Sequence, residues 1–135
     1  MTQENKELLL KDLCARLPYG VKVQVYYEDI AGSGYFDEAV WLIDNDEPFH
    51  VNDRWIENIK PYLRPMSSMT EEEYKSVSWE GCSHTYNYSS KSGFQFIEIK
   101  TFTLNILNWL NAHHFDYRGL IEKGLAIKAP EGMYK

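Results

Sequence analysis

Positive charge is in short supply in this chain. Fourteen lysines and arginines stand against twenty aspartates and glutamates, a formal net charge of −6. A basic stripe that tracks phosphates is therefore not expected, and nucleic acid is a disfavoured partner. Cysteine is nearly missing. Cys14 and Cys82 lie far apart, neither sits in a Cys-x-x-Cys, and one distant pair makes no disulfide framework. No apolar run approaches the roughly 20 residues of a membrane helix, and the longest candidate, near 102–112, is broken by three asparagines. The polar, acid-rich segment Met1–Glu7 has no signal-type apolar stretch behind it. These absences predict a cytoplasmic protein with no membrane partner.

Catalytic signatures are absent too. Gly32-Ser-Gly34 lacks the Lys-Ser/Thr and helix of a phosphate loop, and Ser67, Ser68 and Ser83 lack a Gly-x-Ser-x-Gly elbow. Asp44-Asn-Asp-Glu47 is the densest acidic run, but it misses the order of a calcium loop and reads as a solvated turn. No cofactor is expected.

What the chain does hold is enough apolar material for one domain, 1–135. Hydrophobic residues make up 44% and aromatics 15%, which argues for a folded core. Its most periodic stretch is Phe102–Ile127. Phe102, Ile106, Trp109, Leu110 and His113 recur on one helical face, with Asn105, Asn108, Asn111 and Ala112 opposite and Thr101 or Thr103 as the cap. His113 and His114 fall at the helix end, where exposed carbonyls favour positive charge. Phe115–Gly119 reads as a turn, after which Leu120, Ile121, Leu125 and Ile127 return to the core.

The rest follows in order. Residues 3–16 predict a helix capped by Thr2, with Leu9, Leu10, Leu13, Leu17 and Cys14 inward and Glu4, Lys6, Glu7, Lys11 and Asp12 mostly outward. Val21, Val23, Val25 and Tyr27 alternate as a half-buried strand, and a glycine-bearing connection at 29–34 leads to a second strand over 35–43. Ala39–Ile43, apolar on both faces, suits a central strand covered on both sides. His50-Val51 starts a possible third strand; a helical turn near 53–58 and an extended Lys60–Pro65 follow, the latter read as an edge strand where proline is tolerated. Thr70-Glu-Glu-Glu73 is a complete capping box for a helix of 71–77, with Met69 and Tyr74 as its staple. Residues 80–93 are polar and serine-rich and predict a mobile loop; 94–99 reads as strand, and the tail from about 128 as loosely held. The fold class is α+β: an antiparallel sheet of two to four strands packed with an N-terminal helix, a short capped helix and a C-terminal helix.

Two segments, Ile59-Lys-Pro-Tyr-Leu-Arg-Pro-Met-Ser-Ser-Met-Thr70 and His114-Phe-Asp-Tyr-Arg-Gly-Leu-Ile-Glu-Lys-Gly-Leu-Ala-Ile127, resemble a family of short uncharacterised proteins. Those proteins are common in gut-bacterial genomes, often in prophage-like and other mobile regions. The resemblance covers about the second half of the chain and implies a phage or host cytoplasmic setting. It implies no activity and no site residue.

Three candidate sites remain. Cys82, His84, His113 and His114 offer zinc-type ligands, yet Cys-x-His is tight and adjacent histidines rarely share an ion. His114, Asp116 and Arg118 offer a base, an orienting carboxylate and an oxyanion partner for a small hydrolase or nuclease; a self-satisfied turn explains them equally. Tyr62, Arg64 and Met66 are residue types enriched at interfaces, against a plain reading as core and connection. With no catalytic signature, the leading expectation is a non-enzymatic accessory protein of a phage or mobile element whose partner is protein. The hydrolase is the alternative.

Overall fold

Thr2 sits in extended backbone and its hydroxyl accepts the Asn5 N–H, so α1 (Gln3–Arg16) begins at its predicted cap. The computed structural model describes residues 1–28, 36–46 and 56–134. The inward face of α1 differs from the leucine stripe alone. Leu9 and Leu13 are fully buried, but so are Asp12 and Arg16, while Cys14 is exposed. Arg16 lies seven residues after Leu9, two turns on and nearly in line with it, whereas Cys14 is rotated away from that line. The expected core cysteine and outward Asp12 are thus both corrected.

β1 (Val21–Glu28) and β2 (Phe36–Ile43) pair antiparallel from Val21↔Ile43 to Glu28↔Phe36. Val21, Val23, Val25 and Ile43 face the core. Among the described residues β2 is an edge strand rather than a central one, and its Val40 and Leu42 are 55% and 57% exposed. Asp44 opens the following turn by accepting the Asp46 N–H at 2.9 Å. The expected connection at 29–34, Glu47 and the strand at His50-Val51 lie outside the described residues.

A short 3-10 turn, Ile56–Asn58, leads into β3 (Ile59–Pro65). Expected at an edge, β3 is instead the hub of the sheet. Ile59–Pro61 pair with β1, Tyr62 and Leu63 with β7 (Ile127–Lys128), and Arg64 and Pro65 with β6 (Phe115–Asp116). Pro61 brings no N–H, and the ladder to β1 stops there. The Tyr134 hydroxyl fills the gap, donating to the Tyr62 carbonyl at 2.7 Å and accepting the Lys22 N–H at 2.9 Å. The tail is therefore tied down, not loose: Ala129 N–H also donates to the Leu63 carbonyl, and Lys22 Nζ to the Met133 carbonyl.

β6 and β7 run parallel to β3, so the sheet is five-stranded and mixed rather than antiparallel with two to four strands. Strands of two residues carry no periodicity to read. α2 (Glu71–Lys75) ends sooner than expected but has both hydrogen bonds of its capping box. Where a loop was expected at 80–93, β4 (Ser83–Ser89) pairs with β5 (Gly93–Thr101) as a separate hairpin. Its turn is closed by the Ser89 hydroxyl, which accepts the Lys91 and Ser92 N–H groups, and Gly93 takes φ +73°. α3 (Leu104–Ala112) starts from the Thr103 cap. It buries Ile106 and Leu110 as expected, and also Asn111, whose side chain accepts the Tyr117 hydroxyl at 2.7 Å.

Two cores result. One lies between α1 and the large sheet and holds Leu9, Leu13, Val23, Ile59, Leu63, Leu120 and Leu125 among others. The second lies behind the hairpin and holds Met69, Phe96, Ile106, Leu110 and Phe115.

Candidate functional site

The hairpin alternates with period two, and the register puts its rings on one face. Tyr88 stands opposite Phe94, Tyr86 opposite Phe96 and His84 opposite Ile99. Across from this face Tyr74 of α2 touches Tyr86 and Phe94 at ring separations of 5.1 and 5.0 Å. Trp79 stacks on Tyr74 at 5.1 Å, and its Nε1–H donates to the Tyr74 carbonyl at 2.7 Å. Trp109 meets Trp79 edge-on at 6.0 Å and Phe115 face-on at 5.6 Å. Tyr86 and Phe94 are therefore backed by a continuous run of aromatic contacts.

Between α2 and the hairpin lies a cleft of about 360 Å³ lined by Glu71, Tyr74, Lys75, Tyr86, Tyr88 and Phe94. Tyr86 is 49% exposed and Tyr88 66% exposed at its mouth. Glu71 and Lys75 pair across one helical turn at 2.9 Å on the rim. Burial in this cluster pushes the Tyr74 phenol upward, Tyr86 adding to the effect, so it stays a neutral donor.

His84 is fixed in the same cluster. Its Nδ1 lies 3.3 Å from the Cys82 carbonyl, which only accepts, so Nδ1 carries the proton and Nε2 accepts the Tyr74 hydroxyl at 2.7 Å. Both nitrogens are engaged. Cys82 Sγ lies 3.6 Å from Thr103 Oγ1, His113 packs on Trp109, and His114 stacks on Tyr134 at 3.6 Å. Among the described residues no three His, Cys, Asp or Glu side chains converge as a metal would require.

The hydrolase candidates are not brought together. The Asp116 carboxylate accepts the Leu120 and Ile121 N–H groups, holding the turn before Gly119 at φ +73°. Arg118 donates to Asp12 and to the Tyr117 hydroxyl. His114 turns away to Tyr134, and among the described residues no hydrogen bond joins it to Asp116 or Arg118.

On the Tyr62–Met66 strip, Arg64 holds Glu73 through two bonds of 2.7 Å while its guanidinium lies over the Phe115 ring at 4.2 Å. Arg64 holds the Glu73 carboxyl down to about 2, with the Thr70 N–H assisting against partial burial. Met66 packs on the second core and Tyr62 is partly covered beneath the tail. A crevice of about 570 Å³ lies between Arg64, Thr70, Glu73 and the Lys128–Gly132 segment.

No family model, curated protein or solved structure matches the chain. Among the described residues, no helix is long and apolar enough to cross a membrane.

Proposed function

We propose that this is a non-enzymatic accessory protein that acts by holding another protein, with the aromatic cleft at the hairpin tip as its recognition surface. One observation carries the reading. Tyr86 is 49% and Tyr88 66% exposed beside a concave cleft, yet Tyr86 packs on Tyr74 and Phe94, and Tyr74 in turn stacks on Trp79. Tyrosines presented this way lose little conformational entropy on binding and give large contact area, which is the make-up of interface hot spots. A setting in a phage or mobile element is supported by the resemblance of the 59–70 and 114–127 segments. The hydrolase reading keeps only His114, since Asp116 and Arg118 are both engaged in holding the fold.

The test is cross-linking in host cells that carry the gene, comparing the natural chain with a Tyr86→Ser, Tyr88→Ser variant. The natural chain should retain a reproducible protein that the variant releases. Capture of the same proteins by both chains would remove the cleft from the reading.

A further inference from the structure

A pocket of about 300 Å³ is lined by Lys22, Ala112, His113, His114, Met133 and Tyr134. In a chain of net charge −6, none of the described residues lining this pocket is a carboxylate. Lys22 Nζ donates only to the Met133 carbonyl and lies 5.9 Å from the Tyr134 ring; among the described residues it has no acidic partner within ion-pair distance. Arg16 on α1, Lys22 on β1, Arg64 on β3 and neighbouring His113 all act on His114 with positive charge. Arg16 and Arg64 are matched by Asp12 and Glu73; Lys22 and His113 are not matched by any described acid.

His114 itself is set in an unusual way. Its φ is +65°, the only non-glycine residue among those described in the left-handed region, a conformation kept only where the surroundings impose it. The turn lets its carbonyl accept the Arg64 N–H at 2.8 Å and swings its ring onto Tyr134. Nδ1 is buried and unpartnered, whereas Nε2 is not buried and, among the described residues, takes part in no hydrogen bond, so Nε2 is the nitrogen that meets the pocket. The pocket thus offers an ammonium and two imidazoles, and among the described residues no carboxylate lines it.

We infer that this pocket binds a small phosphate-bearing molecule, its oxyanion held by Lys22 Nζ, the His113 ring and His114 Nε2. A tetrahedral oxyanion has enough acceptor oxygens to meet three donors from different directions, and charge-assisted bonds of this kind are the strong ones. The site is distinct from the aromatic cleft, and neither reading depends on the other.

The experiment is an NMR titration of the imidazole resonances with inorganic phosphate, run beside sulfate, acetate and chloride at constant ionic strength. Phosphate should shift His113 and His114 saturably and raise the pH at which His114 takes its proton. Lys22→Met and the exposed-site variant His113→Gln should each weaken phosphate at least about tenfold, and the folded spectrum of His113→Gln guards against simple unfolding. Equal shifts from all four anions, no saturation with phosphate, or unchanged binding in both variants would each overturn the inference.

Discussion

Between α1 and the large sheet the buried side chains are leucine, isoleucine and valine with Ala126, closed almost completely from water. Behind the hairpin they are Phe96 and Phe115 with Met69, Ile106 and Leu110, rimmed by half-covered Tyr74, Trp79 and Trp109. The difference lies in what each kind of side chain does at its edge. An aliphatic group has no polar end, so its contribution grows only with apolar area removed from water. An aromatic ring packs on other rings and still leaves a hydroxyl or N–H for solvent or a partner. The aliphatic cluster can therefore hold the fold while the aromatic one opens onto a surface.

If the two clusters divide the work in this way, the joint between them should be the most sensitive place. That joint is polar and buried. Asp12 accepts Arg16 Nε at 2.8 Å and Nη2 at 3.1 Å, and Arg118 Nη1 at 2.8 Å. Arg16 Nη2 also donates to the carbonyl of Phe115, inside the aromatic cluster. Asp12→Ala strands two guanidiniums, one of them wholly buried, and is expected to cost about 3–5 kcal/mol in urea unfolding. A loss below about 1 kcal/mol would mean the joint behaves as a surface pair. Next in size, Leu63→Ala in the aliphatic cluster should cost about 2–5 kcal/mol, with the aromatic near-ultraviolet dichroism of the folded protein kept.

The aliphatic cluster was much the more legible of the two in the sequence. Val21, Val23 and Val25 alternate without interruption, and Leu9 and Leu13 sit one turn apart, so strand and helix follow from spacing alone. The cap at Thr70 was equally plain, because Thr and Glu three apart satisfy each other's backbone locally. The aromatic site was hidden. Tyr86 and Tyr88 alternate with Thr85, Asn87 and Ser89, so the segment looks polar until Phe94 and Phe96 are placed opposite. Asp12 and Arg16 were hidden for another reason: beyond their own pair one turn apart, each is met by a partner distant in sequence, Asp12 by Arg118 and Arg16 by the Phe115 carbonyl. No local pattern carries that information.

Acid should separate the clusters more gently. Burial, then the charges of Arg16, His113, Arg64 and Lys22, lower His114 to about 4 from an ordinary value of 6.5. The unfolded chain therefore takes up this proton first, and stability falls as pH drops from about 6.5 to about 4, then levels off for this group. Glu73, held at about 2 against 4.5, stabilises above 4.5 and loses that contribution as pH falls towards 2. Both groups reach solvent in part, so each step is screened and modest. Urea midpoints from pH 7 to pH 2.5, in buffer without phosphate, should fall in two stages. His114→Asn, which tolerates the left-handed backbone, should remove the first stage, and Glu73→Gln the second.

The smallest expected effect on stability carries the most weight for function. Tyr88 lies two-thirds in solvent and has one ring opposite it, Phe94. A cross-strand pair of that kind is worth about 0.2–1 kcal/mol, so Tyr88→Ser should move the urea midpoint little while it weakens partner capture. Phe96, on the same face but fully covered, is the control: Phe96→Ala should cost about 3–5 kcal/mol. Were Tyr88→Ser to destabilise the chain as much as Phe96→Ala does, the exposed ring would belong to the core's own packing. The aromatic cluster would then be a second structural centre with no surface to spare for a partner.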